Sequence, residues 1–397
     1  MTTHRQLPVR PRLEELEQEA DLLLGERRRT DPDARLAALR LELAQSYGLA
    51  SWERLVLAAK LTDAIWRDDL EALEELLREA PELLHEDALG APSSWGPPLS
   101  YAASLGCDRL VLFLHRQGAR DVQNAFERAC LQGRIETARR LHELGARPIP
   151  GSVMGPCETL NGEGLALLLE LGADFTDALG NRLAPVALML QTYARNPAGK
   201  HMCLEIAVAQ GIELPNTPAF AVHRGRIDLL EAHRVRDPRL FKRTFSHREI
   251  YPPELGCDPD ESLALHGTPL AGAALLHLCV DFDEFELAQW MLRHGAESDV
   301  RAEVDADGFG GHTPLFGCVV SQSWRTGQRR DDTFARLLLD HDADPSVRAS
   351  LRKRLRFVAD ESLHVYEDVT PHEWGERFHG REWVNSEVLR LLAKRGE

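Results

Sequence analysis

The sequence has few aromatic residues, no paired cysteine motif and no long apolar segment. Aromatic residues make up 6% of the 397 residues, and the seven cysteines include no Cys-x-x-Cys spacing. An odd number of scattered cysteines argues against a disulfide framework and favours small buried thiols in a reducing cytosol. The longest apolar run, at residues 270–280, is well short of the roughly 18 residues that a membrane-spanning helix needs. We therefore expect a cytoplasmic protein that has no membrane span and no signal peptide.

Excess positive charge is also missing. The chain has 47 Lys and Arg against 63 Asp and Glu, which gives a formal net charge of -16. Nucleic-acid binding needs clustered cations that contact phosphates, so no nucleic-acid partner is expected. One basic run stands out, and it either contacts an acidic partner or nucleic acid, or forms a solvated helix face that pairs with the chain's own carboxylates. The run consists of Arg348, Arg352, Lys353, Arg354 and Arg356.

Sequence motifs of catalysis and cofactor binding are absent as well. The chain contains no GxSxG, HExxH or GxxxxGK[ST] motif and no dinucleotide-binding glycine fingerprint. The segment His372-Glu373, with His379 and the nearby Glu376, could suggest a metal site, but its spacing does not match the zinc-protease pattern. The segment 305–308 resembles the start of a calcium loop without its later glutamate, so it is better interpreted as a hairpin tip. The expectation is a protein that is not an enzyme and binds no cofactor or metal.

What the sequence does contain is a repeated phrase. Thr268-Pro269-Leu270 is followed by an apolar stretch and Gly295-Ala296, and Thr313-Pro314-Leu315 is followed by the segment 341–344, His-Asp-Ala-Asp. Proline suits the first turn of a helix because its φ is preset and its missing N–H costs nothing there. Glycine at a helix end can take the left-handed conformation. Each phrase therefore predicts two short helices that stack on a neighbouring copy.

Earlier copies of the phrase stand in register along the chain. The Gly-Ala stops at Gly118, Gly145 and Gly172 are separated by 27 residues each, and Gly106 and Gly133 keep the same interval. These phrases resemble those of the ankyrin-repeat family, most strongly over residues 61–174 and 217–347. Segments 47–52 and 344–353 are similar to those of bacterial-type ankyrin proteins. The interval is shorter than the family's usual period of about 33 residues, which predicts clipped hairpins between these units.

The resemblance implies an all-α ankyrin-repeat solenoid with an N-terminal helical cap and irregular insertions. We expect Ser51 to be the N-cap of a third helix within the capping region. The predicted divisions are a cap at 1–60, a first repeat array at 61–232 that is degenerate around 181–214, an insertion loop at 233–266, and further repeats at 267–397. Insertions are expected at 321–332 and 348–368, and a C-terminal cap closes the chain.

The family resemblance implies a non-catalytic scaffold that binds a protein partner through the concave surface and the hairpin tips. Large aromatic and arginine side chains in turn regions are the candidate contacts, although each could simply pack on its neighbours. These candidates are Trp95, Phe245, Tyr251, Phe309, Trp324 and Arg325.

Two alternatives remain open from the sequence. One is a small-molecule, metal-binding or enzymatic site in the 233–266 and 348–383 insertions. In that hypothesis His247, Tyr251, His364 and His372 converge. The other is a structural or self-associating role, which the sequence does not separate from partner binding.

Overall fold

The computed structural model describes residues 4–396, and the chain divides into two compact units. The first comprises the chain up to Ile149 together with Glu170–Ala173, and the second comprises Pro150–Leu169 and the chain from Asp174 onward. Short helices that follow one another in pairs make up most of both units. None of the helices within residues 4–396 has both the length and the apolar character needed to cross a membrane.

The first unit begins with two helices that pack on a third. Its helices are α1 (Leu13–Arg27), α2 (Leu36–Ser46), α3 (Trp52–Trp66), α4 (Leu70–Glu79), α5 (Pro98–Leu105), α6 (Asp108–Arg116), α7 (Val122–Leu131) and α8 (Ile135–Glu143), with a 3-10 turn at Pro81–Leu84. Helices α1 and α2 contact each other and α3 around the buried side chains of Leu16, Leu43 and Leu55. The Ser51 side chain accepts a hydrogen bond from the Arg54 N–H, which confirms the predicted N-cap. Helix α3 runs through the expected boundary at residue 60 and pairs with α4.

The second unit contains the remaining helices and all the strands of the described chain. Its helices are α9 (Met154–Glu158), α10 (Gly162–Glu170), α11 (Ala184–Gln191), α12 (Pro197–Ala209), α13 (Pro218–His223), α14 (Ile227–Arg236), α15 (His247–Ile250), α16 (Leu275–Asp281), α17 (Phe285–Arg293), α18 (Pro314–Val319), α19 (Gln322–Thr326), α20 (Thr333–Leu339), α21 (Pro371–Arg377) and α22 (Ser386–Gly396). Single 3-10 turns lie at Leu240–Lys242, Pro253–Leu255, Glu261–Leu263 and Arg381–Trp383.

The first helices of successive pairs form a continuous column in each unit. In the first unit α5 contacts α3 and α7, and in the second unit α13, α16, α18 and α21 contact one another in series. Every residue of α13 and α16 is buried. The second helices of the pairs keep an exposed polar face, as α6 and α17 do. A buried inner helix and a half-exposed outer helix are what a stack of helix pairs requires.

Left-handed residues mark the turns of these pairs, as the glycine phrases predict. Gly106 ends α5 with φ +79°, and Gly118 follows α6 with φ +95°. The segment 341–344 contains the equivalent of a Gly-Ala stop, because Asp342 takes φ +66° there. Aspartate or leucine replaces glycine in other turns, and the sequence alone did not identify these. The further turn residues with positive φ are Asp68, Gly133, Gly145, Leu160, Gly172, Gly211, Gly225, Asp283 and Gly295.

The chain is helix-rich but not all-α, which corrects the sequence-based expectation. Strand β1 (Thr244–Phe245) pairs antiparallel with β2 (Ala273–Ala274), and β3 (Ala349–Lys353) pairs antiparallel with β4 (His364–Val369). The helical interpretation of the basic run is also wrong. Arg352 and Lys353 of this run lie in β3, whose residues alternate between buried and half-exposed, which is the two-residue period of a strand.

One Thr-Pro phrase does not begin a helix. Proline occupies the helix start at Pro98, Pro218, Pro314 and Pro371, as predicted. The Thr268 hydroxyl instead donates to the carbonyl of Val320 at 2.9 Å and accepts from the Trp374 indole N–H at 3.2 Å. The next helix, α16, begins five residues after Leu270. Because the threonine hydroxyl is used by distant groups, it is not available as an N-cap.

Candidate functional site

The segments that connect helix pairs in the second unit lie side by side. The Gly272 N–H donates to the Phe245 carbonyl at 2.9 Å, and the Glu303 N–H donates to the Gly272 carbonyl at 2.8 Å. The Gly310 N–H donates to the Ser350 carbonyl at 2.8 Å. These backbone hydrogen bonds join residues 244–245, 272–274, 303–310 and 349–369 into one surface, which we call the hairpin row.

Four exposed apolar side chains lie on the hairpin row. Val304 is 60% exposed, Phe357 76%, Leu363 51% and Val365 51%. Leaving large apolar groups in water is unfavourable, and when such groups share one surface they mark an interaction site more often than isolated ones do. The hairpin row is therefore a candidate contact surface.

Phe309 is held on this surface by an arginine. The Arg352 guanidinium lies 4.9 Å from the centre of the Phe309 ring. The same guanidinium donates to the carboxylates of Asp305 at 2.8 Å and Asp307 at 2.9 Å. The segment 305–308 is thus a hairpin tip whose carboxylates already pair with an arginine. Phe309 itself is half-buried.

A groove of about 650 Å³ lies between the hairpin row and the neighbouring segments 246–247 and 261–271. Val304, Phe309 and Leu363 belong to its lining, together with carboxylates such as Glu261 and Glu303 and basic groups such as Arg352. Its lining is thus apolar in part and mixed in charge.

A second cavity of about 630 Å³, which we call the basic pocket, has a different character. Its lining includes one carboxylate, Glu158. The cations that line it are Arg325, Lys353, Arg354 and Arg356, and the aromatic side chains are Tyr193, Phe357 and Trp383. Both sequence segments named in the small-molecule alternative contribute to this lining, at 264–266 and at 353–383.

Lys353 and His266 form a buried pair that belongs to the lining of both cavities. The Lys353 Nζ lies 3.2 Å from the His266 Nδ1, and the two residues are 7% and 3% exposed. Burial lowers the pKa of Lys353 to about 8, while the Asp281 and Glu261 carboxylates oppose that change. Burial and the neighbouring ammonium also hold the pKa of His266 well below its usual value. The pair is therefore one ammonium next to a neutral imidazole near pH 7.

The walls of the basic pocket are fixed by hydrogen bonds between its own residues. The Tyr193 carbonyl accepts from the Gln322 amide at 3.1 Å and from the Thr326 hydroxyl at 2.7 Å. The Trp383 indole N–H donates to the Gln322 Oε1 at 3.0 Å. The Arg325 guanidinium lies 3.9 Å from the Trp383 ring centre, a cation–π contact that holds the arginine at the wall.

The predicted contact residues do not form one cluster. Arg325 lines the basic pocket and Phe309 the groove, while the neighbouring Trp324 is half-buried in α19. Phe245 and Tyr251 are 1% and 2% exposed, so they pack inside the second unit and are not on a surface. Trp95 lies in the first unit, where its ring centre is 5.1 Å from that of Tyr101.

The four residues of the small-molecule alternative are also placed in different surroundings. His247 lines the groove and its ring packs 4.9 Å from Tyr251. His364 stacks on His379 at 3.8 Å between ring centres, and the His372 Nδ1 lies 3.6 Å from a Glu376 carboxylate oxygen. Over residues 4–396, no group of three or more His, Cys, Asp and Glu side chains has a metal-binding arrangement.

Sequence analysis missed a group of buried ion pairs in the second unit. The Arg195 guanidinium donates to the Asp281 carboxylate at 2.8 Å and to the Leu265 carbonyl at 2.7 Å. The Lys200 Nζ lies 3.1 Å from the Glu284 carboxylate. Arg329 pairs with Asp283, whose pKa is nevertheless raised to about 6 by burial. Paired partners come from segments more than 40 residues apart, so no local pattern in the sequence indicated them.

Comparisons with known proteins give limited information. No family model matches the sequence, and no curated protein matches it. A solved structure with some similarity is the crystal structure of the human ASB11 ankyrin repeat domain. It is 17% identical, and the match covers 74% of this chain and 97% of that chain with a TM-score of 0.25. The function is therefore inferred from the helix pairs, the left-handed turns and the hairpin row of this chain.

Proposed function

We propose that this chain is an ankyrin-type repeat protein that acts as a non-catalytic scaffold and binds a protein partner. We assign the contact surface to the hairpin row and the adjoining groove, because ankyrin-type proteins bind partners through their hairpin tips and concave face. The observation that supports this most is the group of exposed apolar side chains on the row, at Val304, Phe357, Leu363 and Val365.

The chemistry of the surface suits a protein segment. Apolar side chains alternate along the row with the Arg352, Asp305 and Asp307 ion pairs. Interfaces of this kind combine apolar anchors with a polar rim that excludes water and sets orientation. The hydrogen bonds between neighbouring hairpins hold the surface in place, so binding costs little conformational entropy.

The proposal is tested by site-specific crosslinking. A photo-crosslinking amino acid is placed at Val304, and a matched control carries it at Leu179, which is 93% exposed and lies outside the hairpin row. After irradiation in a lysate of the organism that encodes the chain, we expect a specific protein adduct from the Val304 position that the Leu179 position does not give.

The second arm of the test uses truncation of the anchors. We expect Phe309→Ala to weaken capture of that partner by tenfold or more, the order that truncation of an interface anchor produces, without lowering Tm. Trp324→Ala tests the sequence-based candidate in the same assay. Adducts that are the same from both positions would contradict the proposal. An adduct with a second copy of this chain would replace it with self-association.

A further inference from the structure

The basic pocket contains a buried ammonium, that of Lys353, which forms no direct ion pair with a carboxylate of the described chain. Among the residues that the structure describes, no carboxylate lies within the 4.0 Å ion-pair distance of the Lys353 Nζ, and His266 is its only hydrogen-bond partner. Buried ammonium groups are ordinarily paired, because removing a charge from water is costly. By contrast, the other buried lysine, Lys200, pairs with Glu284. The environment of Lys353 is therefore incomplete in the protein alone.

The His266 imidazole next to Lys353 also lacks one hydrogen-bond partner, at its Nε2 atom. A charged lysine can only donate hydrogen bonds, so the His266 Nδ1 must accept from it. A neutral imidazole that accepts at Nδ1 carries its proton at Nε2. The His266 Nε2 is buried and has no hydrogen-bond partner. The remaining N–H groups of the Lys353 ammonium and the His266 Nε2–H thus lack an acceptor.

The other cations of the pocket also have few carboxylates to pair with. Within residues 4–396, neither Arg325 nor Arg354 forms an ion pair. Arg356 has one carboxylate nearby, Glu361, at 3.7 Å. The lining therefore has an excess of cations, four against the single carboxylate of Glu158, while Glu361, Glu261 and Asp281 act on these cations from outside the lining. This excess is local, because the whole chain has a formal net charge of -16.

We propose that the basic pocket binds a small phosphomonoester whose phosphate is held by Lys353, Arg354 and the His266 Nε2–H, and whose planar or apolar body lies against Tyr193, Phe357 and Trp383. A phosphate dianion suits a lining with more cations than carboxylates, and its oxygens supply the acceptors that the buried donors lack. The volume of about 630 Å³ lies in the range of roughly 300–1,000 Å³ that small-molecule sites have. The pocket shares residues 353–357 with the hairpin row, but a phosphomonoester is a different ligand from the protein partner proposed above, so either assignment can fail without the other.

Isothermal titration calorimetry with AMP as the probe tests this assignment. Inorganic phosphate, adenosine and citrate are titrated separately, so that the phosphate, the planar body and a carboxylate anion are each examined. We expect AMP to bind more tightly than phosphate, and adenosine and citrate to bind at least tenfold more weakly than AMP. AMP should also raise Tm.

Three variants test whether AMP binds in the basic pocket. Arg354→Gln removes an exposed, unpaired cation, and we expect AMP to bind at least tenfold more weakly while Tm without ligand stays unchanged. Lys353→Met should also abolish AMP binding, and because it removes an unpaired buried charge it should not lower Tm. Arg352→Gln is the matched control, because this neighbour lines the groove and pairs with Asp305 and Asp307. Its AMP affinity should equal that of the wild type.

Several outcomes would overturn the assignment. Absence of any heat and any Tm shift with both AMP and phosphate would remove it. AMP binding that persists in Arg354→Gln and Lys353→Met would place the ligand elsewhere. Binding of citrate in preference to AMP would show that the pocket takes a carboxylate and not a phosphate.

Discussion

At the scale of single residues, burial of the Lys353 ammonium makes the free energy of unfolding depend on pH in the alkaline range. Burial lowers its pKa from 10.5 to about 8 in the folded state, so folding is opposed by the charge at neutral pH. Its contribution to the free energy of unfolding therefore rises as pH rises from about 8 to about 10.5, where the unfolded lysine also loses its proton. The charged and titratable groups around it are His266, Asp281 and Glu261.

Lys353→Met should accordingly be more stable than the wild type near pH 7, by on the order of 3 kcal/mol at most. The difference between the two proteins should shrink as pH approaches 10.5. Urea unfolding of both proteins at several pH values measures it. The wild type and Lys353→Met are compared with each other because buried cysteines make both proteins less stable at high pH. Burial raises the pKa of Cys203, for example, to about 12. A difference that stays constant over this range would contradict the prediction.

Individual residues also show why one sequence phrase was misleading. Thr217 and Thr370 accept hydrogen bonds from backbone N–H groups at the starts of α13 and α21, as their Thr-Pro phrases predict. Thr268 has the same local sequence, but its hydroxyl bonds to Val320 and Trp374, which are distant along the chain. Local sequence therefore does not by itself decide whether such a threonine caps a helix, because distant groups take the Thr268 hydroxyl and Thr313 makes no side-chain cap hydrogen bond at the start of α18.

At the scale of helices and turns, left-handed glycines define where each pair ends. A Cβ at Gly118 would meet no atom within 4 Å, and the same holds for Gly25 in helix α1. The two positions differ in backbone conformation, because Gly118 has φ +95° while Gly25 is helical. Substituting each by alanine therefore separates backbone strain from crowding.

We expect Gly118→Ala to lower the free energy of unfolding by about 1–2 kcal/mol, the cost of a left-handed conformation for an L-residue. Gly25→Ala should raise the free energy of unfolding by about 0.5–1 kcal/mol, because alanine loses less backbone entropy in a helix. Chemical denaturation of both variants gives the comparison. Two changes of the same sign would show that φ at residue 118 does not limit the turn.

Helix positions were more predictable than the connections between them. Helix starts at Pro98, Pro218 and Pro314 and the left-handed ends followed from local chemistry, because proline and glycine restrict or extend the backbone by themselves. Left-handed aspartates such as Asp283 were missed, since aspartate takes several conformations. The strands β3 and β4 were missed because the sequence around the basic run shows no clear alternation of apolar and polar residues. One of the buried positions of β3 is occupied by a charged residue, Lys353.

At the scale of the whole molecule, each helix pair depends mainly on its neighbours along the column. Arg195 and Asp281 are 4% and 5% exposed and bond to each other directly. Removing one charge leaves the other buried and unpaired, which costs about 3–5 kcal/mol. Because stability in a stack of repeats is a sum of local and nearest-neighbour contributions, this loss should stay close to α16.

We therefore expect Asp281→Asn to reduce amide hydrogen-exchange protection in α13, α16 and α18, while α5 and α7 of the first unit keep theirs. Asp332→Asn is the control, because Asp332 pairs with Arg336, whose side chain is 58% exposed, and exposed pairs contribute about 0–1 kcal/mol. Uniform loss of protection over the whole chain in Asp281→Asn would show a single cooperative unit instead.

The candidate sites show that sequence analysis can predict single contact residues but not a pocket formed by distant segments. Arg325 and Phe309 were predicted as contacts because they are large side chains in turn regions, and both line cavities. The basic pocket, in contrast, combines Glu158, Tyr193, Arg325 and Lys353. Only the folded chain brings these segments together, so the excess of positive charge there is not visible in a chain of acidic composition.

The buried cysteines have a practical consequence for measuring local opening of the helices. All seven are free thiols, and Cys130 in α7, Cys279 in α16 and Cys318 in α18 are buried in the inner helices. Burial raises the pKa of each thiol, so an alkylating reagent reaches a reactive thiolate only when the surrounding helix opens. The alkylation rate of each of these three cysteines thus reports how often its own helix pair opens. Mass spectrometry of timed alkylation would record which part of the chain opens first, without any added label.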